Sequence, residues 1–357
     1  MKRDVISFNA YTLNKPITGV GRYTQMLSYL SNDEIYKIGL CYNQNLYWDH
    51  GFNEIKDSNL KSKFGKLYWN LFSKDLNQEK TILHSPFPSL PLFRKYKSVI
   101  TVHDLIFLTN PDWYSKTELL FSVNLLKYSI KSANRIICVS QFTKKKLIEY
   151  FPAVEKKSIV IYNCLPPIHK IKSLKQFKPC AKSNLSLFLN KKFKYFVCPS
   201  NRHPRKNLEN TILGFKNSQL NKRGYKLVLT GLNENNFKLK DDFIFDLGYL
   251  SDNEYYCLVN NSSGIIYFPF KEGFGLPILD AMMFNKNVFI SELDVFKEIL
   301  PNHNMLSDID NSNSITEFLN NNFGKINSIN HFDKDKFSFQ LFQKKHLELY
   351  DCLKNEI

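Results

Sequence analysis

The sequence predicts an α/β protein made of two doubly wound parallel-sheet domains facing across a cleft. Three observations carry this expectation. The chain has 357 residues, long for one compact core and comfortable for two domains of common size. In each half, short β-branched or aromatic runs alternate with helix-spaced amphipathic segments, the pattern of parallel strands joined by crossover helices. Between the halves, from Pro166 to about Lys192, lies a stretch rich in Lys, Ser and Pro and poor in periodicity, as a linker would be.

Composition narrows the class of protein. With 43% hydrophobic and 15% aromatic residues the chain can bury sizeable cores. Its 49 basic and 33 acidic residues leave a net charge of +16, which suits an anionic partner or reflects a Lys/Asn/Ile/Phe-rich codon bias. No stretch resembles a nucleic-acid-binding motif, so nucleic acid is not expected as a partner. The seven cysteines are scattered and show no Cys-x-x-Cys spacing, which predicts reduced thiols in a cytoplasmic protein and no metal site. Met1-Lys2-Arg3-Asp4 leads into a run too short for a signal peptide, and no apolar stretch approaches 18 residues. A soluble protein, peripheral to a membrane at most, is therefore expected.

In the first half, Val5 to Ala10 reads as a strand, and Thr18-Gly19-Val20-Gly21 opens a helix running to about Leu30. A strand, a glycine loop and a helix suit a phosphate, yet Gly-x-Gly without a third glycine falls short of a dinucleotide fingerprint, and a tight turn with no ligand fits as well. Tyr36 to Cys41 is a second strand. Between Leu60 and Lys74, lysines 61, 63, 66 and 74 interleave with Phe64, Leu67, Tyr68, Leu71 and Phe72 at helical spacing. Two readings stay open there: a helix on an anionic membrane surface, or an ordinary helix facing its own core. Ser98 to Val102 is a β-branched run ending in His103-Asp104, at the strand end where open α/β sheets bind ligands. A histidine there can donate to a ligand oxygen or stabilise charge, with Asp104 orienting the ring, although a lone His is more often structural. Thr117 to Ala133 reads as a long helix, Arg135 to Val139 as a strand, Ser140 as the cap of a helix to about Tyr150, and Ser158 to Asn163 as the last strand.

The second half opens with a strand, Tyr195 to Pro199, then Ser200-Asn201-Arg202-His203-Pro204-Arg205-Lys206-Asn207 and a helix from about Leu208 to Leu220. Arg grips phosphate bidentately, Lys adds a point charge, and a helix start favours anions, with Arg202 competing with Arg205 for the arginine role. Lys226 to Thr230 and Phe243 to Leu247 are further strands, and Ser251-Asp252-Asn253-Glu254 is a capping box. Gly264 to Pro269 reads as a buried strand, followed by Glu272, the turn Gly273-Phe274-Gly275 and a helix from Leu276 to Phe284 with Pro277 in its first turn. The glycines let backbone approach a ligand, and the free N–H groups of the new helix suit a phosphate. Asp280 follows Glu272 by eight residues, about two turns down the helix. Two carboxylates thus bracket a phosphate-sized hole. Val288 to Ser291 is a last strand, Asn302 to Ser314 is polar, and Phe337 to Leu353 is a terminal helix.

Glu272-Gly273-Phe274-Gly275-Leu276-Pro277 with an acid at 280 resembles the Glu-x7-Glu signature of the retaining glycosyltransferases of family 4, and the chain looks similar to bacterial O-antigen and capsule enzymes. Asp280 stands where that family usually has Glu. The resemblance implies the two-domain GT-B fold, with domains 1–168 and 193–339, a linker 169–192, and a terminal helix, about 340–357, packing back on the first domain. It implies catalytic roles for His103, Glu272, Arg205 and Lys206: His103 and Glu272 on the donor sugar, Arg205 and Lys206 on the diphosphate. Gly19, Val20, Gly21, Asp104, Arg202, Tyr249, Gly273, Phe274, Gly275, Leu276 and Asp280 would complete donor binding, Tyr249 beside the base and Asp280 at the ribose. Tyr162-Asn163-Cys164 departs from the family's Tyr-Asn-Gly turn. The function implied is hexose transfer from a nucleotide sugar, GDP-mannose first and UDP-hexoses next, to a glycan or polyprenyl-diphosphate-linked saccharide, with no metal or other cofactor. An epimerase or hydrolase on the same fold, or a non-catalytic sugar-nucleotide-binding protein, remains the alternative.

Overall fold

The computed structural model describes residues 4–14, 19–33, 35–41, 50–57, 81–92, 96–167, 170, 184–231, 241–324 and 332–356. The lysine and aromatic stretch from Leu60 to Lys74 lies outside the described residues. The chain divides into two compact units, Met1–Cys164 with Asp335–Ile357, and Leu165–Lys334. The second unit thus begins at Leu165 and takes in the segment expected to be linker, which carries the short helix Asn184–Leu189.

In the first unit the described strands form one parallel sheet: β1 (Asp4–Asn9), β2 (Ile35–Cys41), β3 (Glu54–Asp57), β4 (Thr81–Ser85), β5 (Lys97–Val102), β6 (Arg135–Cys138) and β7 (Ser158–Val160), in the order β3-β2-β1-β4-β5-β6-β7. Successive residues of β5, Val99 and Ile100, enter different buried clusters, so apolar side chains cover both faces, as a doubly wound sheet requires. The sequence reading lacks β3 and β4. β3 is a four-residue, charged edge strand, Glu-Ile-Lys-Asp, whose pattern carries no core-facing signal.

In the second unit the sheet is β8 (Tyr195–Pro199), β9 (Lys226–Thr230), β10 (Ile244–Asp246), β11 (Gly264–Tyr267) and β12 (Asn287–Ile290), ordered β10-β9-β8-β11-β12 and parallel throughout. The expected helix from Leu208 to Leu220 ends at Asn217. Ser218 is extended, its hydroxyl donates to the Phe215 carbonyl, and a separate turn, Gln219–Lys222, follows. The stretch read as polar from Asn302 runs into a further helix, Ser312–Asn322. It packs against the Leu208–Asn217 helix so closely that a Cβ on Gly214 would lie 2.4 Å from Ile315 Cγ2. Ser251 and Glu254 form the expected reciprocal cap.

A chain of hydrogen bonds ties the C-terminal helix, Phe339–Asn355, into the first unit. Its direction follows from one end: His346 Nδ1 must donate to the Phe342 carbonyl at 2.8 Å, so its Nε2 accepts from the Tyr23 hydroxyl at 3.0 Å. Thr101 then donates to Tyr23 Oη at 3.0 Å, His84 Nε2 to Thr101 Oγ1 at 2.9 Å, and the Tyr350 hydroxyl to His84 Nδ1 at 2.6 Å. Every proton is used once and both imidazoles are neutral. Burial accordingly holds His346 down at about 4 and lowers His84 well below its ordinary value.

Acid should therefore loosen this unit. Below the ordinary histidine value of 6.5 the unfolded chain takes up protons that the folded network refuses, so stability falls as pH drops from 6.5 towards 4. His346 alone contributes roughly 3 kcal/mol to that loss once the window is crossed. Urea unfolding at about pH 7, 6 and 5 should show a falling midpoint, and His346→Gln should flatten the slope by roughly one proton. An unchanged slope in that variant would place the proton uptake elsewhere.

Candidate active site

The second-unit sheet reverses its strand order between β8 and β11, and ligands of open α/β sheets bind at such a point, beyond the carboxyl ends of the strands. Two segments leave the sheet there. After β8 the chain makes a 3₁₀ turn, Pro204–Lys206, with His203 Nδ1 accepting from the Arg205 N–H at 3.2 Å. Asn207 adopts a left-handed conformation, φ 51°, before the next helix begins. Arg205 and Lys206 thus occupy their own turn just before the helix, which begins at Leu208 as the sequence predicts. After β11, Phe268 to Gly275 leads into the helix Leu276–Met283, and the Phe270 N–H donates to the Arg205 carbonyl at 2.8 Å, binding the two segments together. Of the turn's two glycines, Gly275 is the one with positive φ, 120°, and a Cβ there would lie 2.8 Å from the Phe296 ring.

Three of the expected site residues meet. Arg205 Nη1 and Lys206 Nζ each lie 2.5 Å from Glu272 Oε1. A fourth, which the sequence reading did not single out, completes the cluster: the Tyr267 hydroxyl donates to the same carboxylate oxygen and accepts from Lys206 Nζ at 2.6 Å. Burial alone would raise the Glu272 carboxyl; Lys206 and then Arg205, with hydrogen bonds from Lys206 and Tyr267, outweigh it and hold it at about 2. The signal for Tyr267 was present: a tyrosine closing a buried apolar strand needs a partner for its hydroxyl.

Other expected donor-binding residues are placed differently. Arg202, at φ 60°, pairs with Asp246 at 2.6 Å and donates to the Ser200 carbonyl at 2.5 Å, its side chain 4% exposed. It straps the loop after β8 to the end of β10. Asp280 is 1% exposed, so a carboxylate expected to hold a ribose is closed off from solvent. Gly273, Phe274 and Leu276 line the turn and the first residue of the helix, and Tyr249 follows Gly248, itself at φ 61°.

In the first unit, His103 follows β5. Its Nε2 donates to the Pro86 carbonyl at 2.8 Å, and the Tyr23 ring meets it edge-on at 5.0 Å. Burial lowers its pKa, outweighing the carbonyl and the nearby Asp104. The ring is therefore neutral with its proton committed to Pro86. In this neutral form Nδ1 is a hydrogen-bond acceptor. Asp104 does not orient the ring by contact; its Oδ1 accepts from the Ile106 N–H at 3.1 Å and starts the turn Ile106–Thr109. Gly19, Val20 and Gly21 form the first turn of the helix Gly19–Ser28 and not a loop. Cys164, where the resembled family has Gly, is not at positive φ, so the departure costs no backbone strain. Among the described residues no group of three or more His, Cys, Asp or Glu could hold a metal ion, and no helix is long and apolar enough to cross a membrane.

A family model described as Glycosyltransferase Family 4 matches residues 67–167, and one described as Glycosyl transferases group 1 matches residues 183–321. Together with two parallel-sheet Rossmann-like units, these matches make the chain a GT-B glycosyltransferase. Within that class it is akin to O-antigen enzymes. It is 27% identical over 269 residues, 70% of this chain and 69% of the relative, to the O-antigen chain mannosyltransferase RfbU of Salmonella typhimurium. To the O-antigen chain mannosyltransferase B of Escherichia coli it is 24% identical over 352 residues, 87% of this chain and 88% of that one. Among solved structures, Anabaena HepE (Alr3699) in complex with UDP and glucose superposes with a TM-score of 0.71 at 16% identity, over 98% of this chain and all of the other.

Proposed function

We propose that the protein is a metal-independent, retaining hexosyltransferase that moves mannose from GDP-mannose to a glycan or polyprenyl-diphosphate-linked saccharide in O-antigen or capsule assembly. The observation that carries this reading is the convergence of Arg205 and Lys206 on one anionic oxygen at the switch point. The bond from C1 of the sugar to the diphosphate breaks with its electron pair on phosphate, and the two cations meet that charge in place of a metal. The acceptor hydroxyl bonds to C1 on the same face, and its proton passes to the departing phosphate oxygen. Glu272 takes the sugar hydroxyls, while His103, neutral, accepts from one of them. The names of the two O-antigen relatives support mannose and a saccharide acceptor; HepE, solved with UDP and glucose, keeps a UDP-hexose as the second candidate.

Thermal-shift screening against GDP, UDP and their sugars should single out one base. Nucleoside diphosphate release should then require a saccharide acceptor, and NMR of the product should show the donor's anomeric configuration. Release without acceptor would indicate a hydrolase or epimerase, and binding without release a sugar-nucleotide-binding protein.

A further inference from the structure

Two positive charges and a hydroxyl converge on a single oxygen of Glu272. A diphosphate, with more charge and several oxygens, suits the same pair of cations better. The fixed member of the group is Tyr267. It is the last residue of β11, 1% exposed, and its ring lies 5.9 Å from that of Phe296. Its oxygen accepts from Lys206, its ring lies 4.9 Å from the Lys206 ammonium, and its proton goes to Glu272. Of the three groups on Glu272, Tyr267 alone has no charge for a phosphate to draw away.

Building on the donor-binding reading above, we propose that Glu272 stands in for the donor's diphosphate in the ligand-free chain and that donor binding is an exchange of partners. The diphosphate takes Arg205 and Lys206, and Glu272, released from the cations and retained by Tyr267, turns to a sugar hydroxyl. Tyr267 is the positioning residue of this exchange. While Glu272 occupies the cations the site is not competent for phosphate, so apparent affinity is reduced by the occupied fraction.

Calorimetric titration of the full chain with GDP, UDP and inorganic pyrophosphate tests this. Glu272→Gln removes the internal competitor and is expected to bind the preferred nucleoside diphosphate about tenfold tighter while losing transfer. Because Lys206 and Arg205 keep Glu272 ionised, its value being held at about 2, that gain should be the same from about pH 5 to 8. Tyr267→Phe leaves all charges but loosens the carboxylate. It should bind diphosphate two- to threefold tighter while kcat falls about tenfold, the cost of one buried hydrogen bond. A folded Glu272→Gln protein with equal or weaker diphosphate affinity overturns the exchange. Should that variant not fold, Tyr267→Phe decides, and unchanged affinity with unchanged kcat overturns it. Wild type that binds neither GDP nor UDP sinks the donor-binding reading and this one together, whereas wild-type binding with no gain in either variant sinks the exchange alone.

Discussion

Lys206→Ala is expected to lower kcat/KM for transfer by ~10²–10³, the loss typical of removing one group aimed at developing charge. Lys206 is held by Tyr267 and Glu272 at the β8–β11 switch point, so little of its effect should come through the fold. Its loss removes one of the two cations proposed to receive the leaving diphosphate, and it leaves Glu272 with Arg205 and the Tyr267 hydroxyl. Diphosphate affinity should fall along with the rate, whatever the donor. Steady-state kinetics with the preferred donor, beside calorimetry with its free nucleoside diphosphate, checks both halves. Near-wild-type kcat/KM in a folded variant would remove the phosphate role from this turn.

His103→Ala is expected to lose transfer by about the same factor, ~10²–10³, but through a different route. In our reading the residue contacts the sugar and not the diphosphate, so free nucleoside diphosphate should bind the variant as tightly as wild type. Its state also predicts a pH profile. With Nε2–H given to the Pro86 carbonyl and burial lowering its pKa, any acid limb that arises from this ring should lie below the ordinary histidine value of 6.5. His103→Gln, which keeps an acceptor, should recover part of the rate. A fall in kcat as pH rises through about 6.5 that His103→Gln abolishes would show a protonated donor in its place, and a large loss of nucleotide affinity would move the residue off the sugar.

Local pattern determined much of this protein. The strand, turn and helix over Gly264–Met283 were legible because an apolar run, a carboxylate, a glycine turn and a proline in the first helical turn all act within a few residues of one another. The capping box at Ser251 and the strand ending at His103 were legible for the same reason. β4 and the helix Ser312–Asn322 were not; the helix is capped by Asn311, but Asp308, Asp310, Ser312 and Ser314 around it could each cap as well, so the start did not stand out.

The composition of the cluster was decided elsewhere. Arg202 and Arg205 are three residues apart and equivalent in sequence, yet one pairs with Asp246 and the other with Glu272, because β8 has β9 and β10 on one side and β11 on the other. Tyr267 joins Lys206, 61 residues away, only because β11 lies beside β8. The Pro86 carbonyl that takes the His103 proton comes from the end of β4, 17 residues earlier and one strand over. Strand adjacency in a doubly wound sheet does not follow chain order. The sequence by itself therefore determined which chemical groups stand at the strand ends, and the tertiary structure alone decided which of them touch, and so which charges are paired and where each proton sits.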